Sequence, residues 1–229
     1  MLKAELYKYL KNKIFLITLL IPIIFVLILM FLMPGTEGSK GMLLYAVSRN
    51  LFYSVLIPAY IIIICNITKE MEQKNKSWII LLTMPIKKVS IYLYKILLLI
   101  AMVFINYIGY IIGIGILKIF YSDITLSFQE ISLDLLISFV CTFAIVSFFY
   151  MFSLEMVPSI VYLGIGTVMV LAGFLASQSE QLWIYCPISY PVVVTVLGEK
   201  AFKWILVNIA IGIVFHIIGA LRFSRREWF

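Results

Sequence analysis

The chain's single histidine, His216, is the first place to look for acid–base chemistry. A His-x-x-x-His metal site needs a second imidazole, and a Ser–His pair inside a membrane needs a converging acid or oxyanion donor. The sequence offers neither, so His216 reads as a helix-packing or interfacial residue. The three cysteines, Cys65, Cys141 and Cys186, form no CxxC, and the first two lie inside apolar runs. That argues against a disulfide or zinc framework. The glycine-rich stretch 35–41, GTEGSKG, lacks the G-x-x-x-x-G-K-[ST] spacing of a phosphate-cradling loop, so the chain does not hydrolyse ATP by that route. Glu155 reads as a turn or helix-end charge, and Asn66, Asn106 and Asn208 as groups that bond helices together. Gly109 and Gly113 form a GxxxG, extended by Gly115, that lets another helix approach closely, within the bundle or at a subunit interface. No catalytic, metal-binding or cofactor-binding residue is expected, and an intramembrane enzyme is disfavoured.

The elements that must position these residues follow from composition. Of 229 residues, 64% are hydrophobic and 13% charged, against roughly 45–50% and about 25% in soluble domains. This excludes an ordinary soluble domain, a disordered chain and a disulfide scaffold, and makes the bilayer the main solvent. Six stretches are long and apolar enough to cross: 14–33, 51–67, 96–117, 133–152, 157–176 and 205–221, the second starting near Met42 if Arg49 snorkels. The fold class expected is an all-α membrane protein with six transmembrane helices in one domain, 1–229. The first stretch is too long for a signal-peptide core and reads as a retained anchor.

Six crossings put both termini on one side. That side carries Lys3, Lys8, Lys11, Lys13, six lysines between 69 and 95, and three terminal arginines, for a net charge of +8; the other side nets −1. By the positive-inside rule the termini are cytoplasmic. The overall +7 is thus a topology signal and implies no nucleic-acid partner.

Three apolar segments do not fit as crossings. Residues 1–13 place Leu2, Leu6, Tyr9 and Leu10 on one helical face opposite Lys8 and Lys11, which suits an interfacial helix. Residues 182–200 carry two prolines and several aromatics, which suggests an outer re-entrant or interfacial hairpin. The loop 66–95 contains the ten-residue SWIILLTMPI followed by Lys87 and Lys88, too short to cross. It is either a lipid-anchored loop or a rigid helix that docks into a cytoplasmic partner and passes motion to two crossings.

At this loop the chain resembles the membrane subunits of type-two ABC exporters, closest to the lantibiotic (bacteriocin) immunity permeases. The likeness rests on residues 1–13 and on the W-x-x-L-L-x-x-P-I core of Trp78, Leu81, Leu82, Pro85 and Ile86. It rests also on IYLYK at 91–95, the Trp183…Pro187-x-Ser189-Tyr190-Pro191 stretch and Arg225–Arg226. The segment order runs through nearly the whole chain. The resemblance implies an N-terminal elbow helix at 1–13, a coupling helix at 77–88 and an outer re-entrant segment at 182–200. It implies that Glu70 and Glu72 lead into the coupling helix, which with Trp78, Leu81, Leu82, Pro85, Ile86, Lys87 and Lys88 meets the ATPase. It implies partners: two ABC ATPase subunits that bind ATP and Mg, a second identical or related permease, membrane lipid, and an amphipathic peptide cargo. The localisation implied is a bacterial plasma membrane. Short outer loops set the chain apart from permeases with large extracellular sensor domains. The competing reading is an ATPase-independent immunity or scaffold protein that binds the peptide without transport.

Overall fold

The computed structural model describes residues 7, 9, 13–32, 40–74, 88–155 and 157–225, and these contain helices and turns with no strand. Six helices are long and apolar enough to cross a membrane: α1 (Ile14–Leu32), α2 (Lys40–Gln73), α3 (Lys88–Phe120), α4 (Phe128–Ser153), α5 (Ser159–Ser177) and α6 (Ala201–Arg225). The protein is an all-α membrane protein. Of the expected elbow helix only Tyr7, Tyr9 and Lys13 are described; of the expected coupling helix only Lys88 is, and it is the first residue of α3. Trp78, Leu81, Leu82, Pro85, Ile86 and Lys87 lie outside the described residues.

Burial divides the helices into two groups. The apolar window of α2 is 67% buried and those of α3 and α4 are each 56%, against 17% for α1 and α6 and 28% for α5. So α2, α3 and α4 form the core, and α1, α5 and α6 turn apolar faces outward, as lipid-facing helices do. α1 lies along α3, α6 along α4, and α2 is wedged among α3, α4 and α5.

The α1–α3 seam explains the GxxxG. A Cβ at Gly109 would overlap the carbonyl oxygen of Leu19 and lie 2.7 Å from Pro22 Cγ, and one at Gly113 would lie 3.0 Å from Val26 Cγ2. Without a hydrophobic drive between helices in lipid, close backbone approach supplies the attraction. Gly115 faces open space and takes no part. Pro22 sits inside α1 and has no N–H to offer the carbonyl of Thr18, four residues earlier. The Asn106 side-chain amide, fully buried on α3, fills the gap by donating Nδ2–H to that carbonyl at 3.0 Å. Thr18 donates its own hydroxyl to the Ile14 carbonyl at 2.8 Å, which leaves Tyr60 on α2 to donate to Thr18 Oγ1 at 2.8 Å. One polar knot therefore joins three helices, and Asn106 does bond helices together.

α2 and α3 are longer than the apolar stretches imply. At 34 and 33 residues they are about 50 Å long, against a hydrocarbon core of roughly 30 Å. The long crossing helices also carry charges. Arg49, Glu72, Lys95 and Asp134 all lie on them, because each finds an opposite charge on another helix. Arg49 does not snorkel alone; it pairs with Asp134 on α4, and α2 begins at Lys40.

Two local devices shape the end of the bundle remote from the termini. Ser127 opens α4 with a capping box: its hydroxyl accepts from Glu130 N at 3.2 Å, and the Glu130 carboxylate accepts from Ser127 N at 2.7 Å. α2 widens to a π-helical turn at Phe52–Leu56. The segment from Leu182 to Lys200 is a string of short helical turns that buries Trp183, Ile188, Tyr190 and Val194 against the bundle.

Candidate coupling site on the terminal face

The last two turns of α2 present Cys65, Thr68, Lys69 and Glu72 at spacings of three and four, one stripe on a helix. All four are buried, at 6% exposure or less, although three are polar or charged. A polar stripe is buried only when each member has a partner, and here Thr68, Lys69 and Glu72 each reach a partner outside α2. The Thr68 hydroxyl proton goes to the Ile64 carbonyl at 2.7 Å, so Tyr9, from the N-terminal segment, donates to Thr68 Oγ1 at 2.6 Å. Lys69 Nζ donates to the Val157 carbonyl in the α4–α5 turn at 2.7 Å, and lies 5.4 Å from the centre of the Tyr162 ring on α5. Glu72 Oε1 meets Lys95 Nζ of α3 at 2.9 Å. At the rim of the same face, Arg222 of α6 donates to Glu155 at 2.7 Å. The end of α2 is thus a hub joining the N-terminal segment, α3 and the α4–α5 turn, with α6 tied to that turn.

Glu72 and Lys95 carry most weight. They flank residues 75–87, one on the helix that enters this stretch and one on the helix that leaves it. Thr18, Tyr60 and Asn106 share a level. From that level Glu72 is 12 residues along α2, Lys95 is 11 residues back along α3, and α1 starts 4 residues back at Ile14. The pair therefore lies about 10–12 Å beyond the start of α1. Removing one member of such a shielded pair costs about 3–5 kcal/mol, because the buried charge of the other loses this counterion. The pair thus ties the end of α2 to the start of α3.

The expected partner-contacting residues separate into three groups. Glu72 is 2% exposed, faces inward and pairs with Lys95. Glu70 is half-buried and accepts from Asn66 Nδ2 at 3.2 Å, a bond within α2, so Asn66 joins no second helix through it. Lys88 is half-buried at the start of α3. The others fall in 75–87. Sequence reasoning missed Lys69 and Lys95 as structural charges; the signal available was the Thr68–Lys69–Glu72 stripe and a lysine of opposite sign to Glu72 two turns into α3. Glu155 is a half-exposed turn charge, and His216 packs on the Tyr92 ring with centroids 5.1 Å apart. Cys65, Cys141 and Cys186 are free thiols. Among the described residues no group of three His, Cys, Asp or Glu side chains is placed to hold a metal ion.

Six membrane-crossing helices, with α2 and α3 tied by an ion pair at the terminal face, define a multi-pass helical membrane protein. The particular family follows from the sequence match: residues 1–173 of 229 match the family described as ABC-2 family transporter protein, and the chain belongs to it. It is a permease subunit of an ABC transporter, and ATP hydrolysis belongs to an associated ATPase subunit. No curated protein and no solved structure matches the chain.

Proposed function

We propose that this permease expels an amphipathic peptide from a bacterial plasma membrane, the activity that protects a producer of lantibiotics or other bacteriocins from its own product. The termini face the cytoplasm, as the charge split of +8 against −1 favours. Two permeases pair, as identical or related copies, and two ATPases carrying ATP and Mg sit beneath them. Residues 77–88 form the coupling helix and 182–200 an outer re-entrant segment. Nucleotide-driven closure of the ATPases pushes on the coupling helix, and the flanking arms carry the push into α2 and α3.

The observation that supports this reading is the buried Glu72–Lys95 pair. A loop that only rested on lipid would gain nothing from such a joint at its base. A loop that transmits force needs its two arms fixed to each other, or the push is lost in bending. The peptide cargo rests on the likeness to lantibiotic permeases in segment order and on the short outer connections.

The test is co-expression with the candidate ATPase, followed by ATPase assays in nanodiscs and survival assays with a purified cationic lantibiotic. The expected result is a copurifying complex, peptide-stimulated hydrolysis, and protection that disappears when the ATPase cannot hydrolyse ATP. Full protection in cells lacking every cognate ATPase would instead establish the ATPase-independent immunity or scaffold reading.

A further inference from the structure

At the end of α2 remote from Glu72 lies a second ion pair of different character. The Asp134 carboxylate on α4 accepts Arg49 Nε at 2.7 Å on Oδ2, Arg49 Nη2 at 2.7 Å on Oδ1, and the Tyr53 hydroxyl at 2.8 Å on Oδ2. Arg49 Nη2 also donates to Thr195 Oγ1 in the outer segment at 2.6 Å. One guanidinium therefore holds α2, α4 and the outer segment together, using the fork geometry that lysine lacks. Inward of it the helices are sealed by aromatic rings: Phe52 stacks on Tyr110 with centroids 3.8 Å apart, and Tyr107 donates or accepts a 2.8 Å bond with Ser138. Beside the pair a cavity of about 360 Å³ opens, walled by Met42, Tyr45, Leu126 and Glu130.

Three observations give this arrangement a role in transport. First, the two charged anchors share one helix, 23 residues or about 35 Å apart, so a displacement imposed at Glu72 reaches Arg49 through α2. Second, they differ in shielding. Glu72 and Lys95 are each 2% exposed, whereas Arg49 and Asp134 are 19% and 15% exposed. Water can take over the partners of the outer pair as it separates but not those of the inner one, so under load the outer pair yields first. Third, the π-helical turn Phe52–Leu56 lies directly inward of Arg49, a type of irregularity that concentrates at functional sites.

Resting on the ATP-driven reading above, we infer that Arg49 and Asp134 are positioning residues of the transport cycle. They form an outer latch that keeps α2, α4 and the outer segment closed, and it opens when the inner joint drives α2. No contact with cargo is needed for this role.

The test uses the permease with its ATPase in nanodiscs and one reporter thiol, Ser138→Cys, in a chain whose native cysteines are replaced. Ser138 is fully buried one turn inward of Asp134. A membrane-impermeant thiol reagent reads its exposure. Without nucleotide, Arg49→Gln raises the labelling rate about tenfold, within the range usual for coupled conformational equilibria. The exchange Arg49→Asp with Asp134→Arg restores protection. A control thiol, Ser153→Cys, buried at the other end of α4, stays protected in Arg49→Gln, which separates opening from general loosening. If Arg49→Gln does not insert, Arg49→Lys, which keeps the charge and loses the fork, is read instead and gives an intermediate rise. An unchanged rate at Ser138→Cys in a folded variant, or an equal rise at Ser153→Cys, overturns the latch. Adding ATP and vanadate to the otherwise unaltered reporter chain reads the ATP-driven mechanism separately. Increased Ser138→Cys labelling supports it. No response there, with Arg49→Gln still raising labelling, overturns the coupling of the latch to ATP, while Arg49 and Asp134 are shown to hold this end closed.

Discussion

Lys95 Nζ lies 2.9 Å from Glu72 Oε1 with each side chain 2% exposed, so an ion pair shielded from water ties the two helices that flank residues 75–87. Neutralising one partner leaves the other charge buried. Lys95→Met or Glu72→Gln should each lower stability by about 3–5 kcal/mol. The double variant Glu72→Met with Lys95→Met removes both charges and should recover most of that loss, because an apolar pair of similar volume packs there without a desolvation penalty. Melting in detergent of the two single variants and the double variant checks both statements. A double variant no more stable than either single one would show that the pair does not act as a unit.

The α1–α3 seam yields a sharper contrast, between two glycines six residues apart on one helix. Gly109→Ala places a methyl group against the Leu19 carbonyl and Pro22, and backbone cannot step aside as a side chain can. The expected loss is about 1–3 kcal/mol. Gly115→Ala meets nothing within 4 Å, and alanine is the better helix former, so stability should hold or rise by up to about 1 kcal/mol. Thermal inactivation of the two variants side by side is the measurement.

How far the fold could be read in advance follows from the same residues. Apolar run length located all six crossings, and GxxxG spacing marked the helix face that α1 covers, because both signals are local. The far end of α2 and the start of α3 were not legible. Glu72 lies in a charged stretch and Lys95 at the edge of an apolar one, Arg49 interrupts another, and their partners lie 23 and 85 residues away, where periodicity carries no information. Glu72 shows why for the site: its place before the loop was legible from the resemblance, but its burial against Lys95 was not, because that contact is tertiary. The role of Asn106 was visible only as a type, because its acceptor exists through the missing N–H of Pro22 on another helix.

Within the stretch 75–87, Trp78 and Pro85 test the proposed ATPase contact. Trp78→Ala and Pro85→Ala should leave the protein inserted, with melting close to that of the unaltered chain, while ATPase stimulation by peptide falls at least several-fold. Normal stimulation in both variants would move the contact elsewhere on the terminal face.

The Asn106–Thr18–Pro22 arrangement permits a cycle in which the two changes interact with a stated sign. Asn106→Leu removes the donor that serves the Thr18 carbonyl and should cost about 1–2 kcal/mol, the range for an interhelical hydrogen bond in a membrane. Pro22→Ala restores a backbone N–H at the position from which α1 would ordinarily satisfy that carbonyl. With alanine at 22 the helix no longer depends on Asn106, so Asn106→Leu in that background should cost less than it does beside Pro22. The difference between the two costs, taken from melting of the four chains, measures how much of Asn106's contribution repairs the proline. Equal costs in both backgrounds would mean that the amide stabilises the α1–α3 contact by packing alone, independently of the carbonyl it meets.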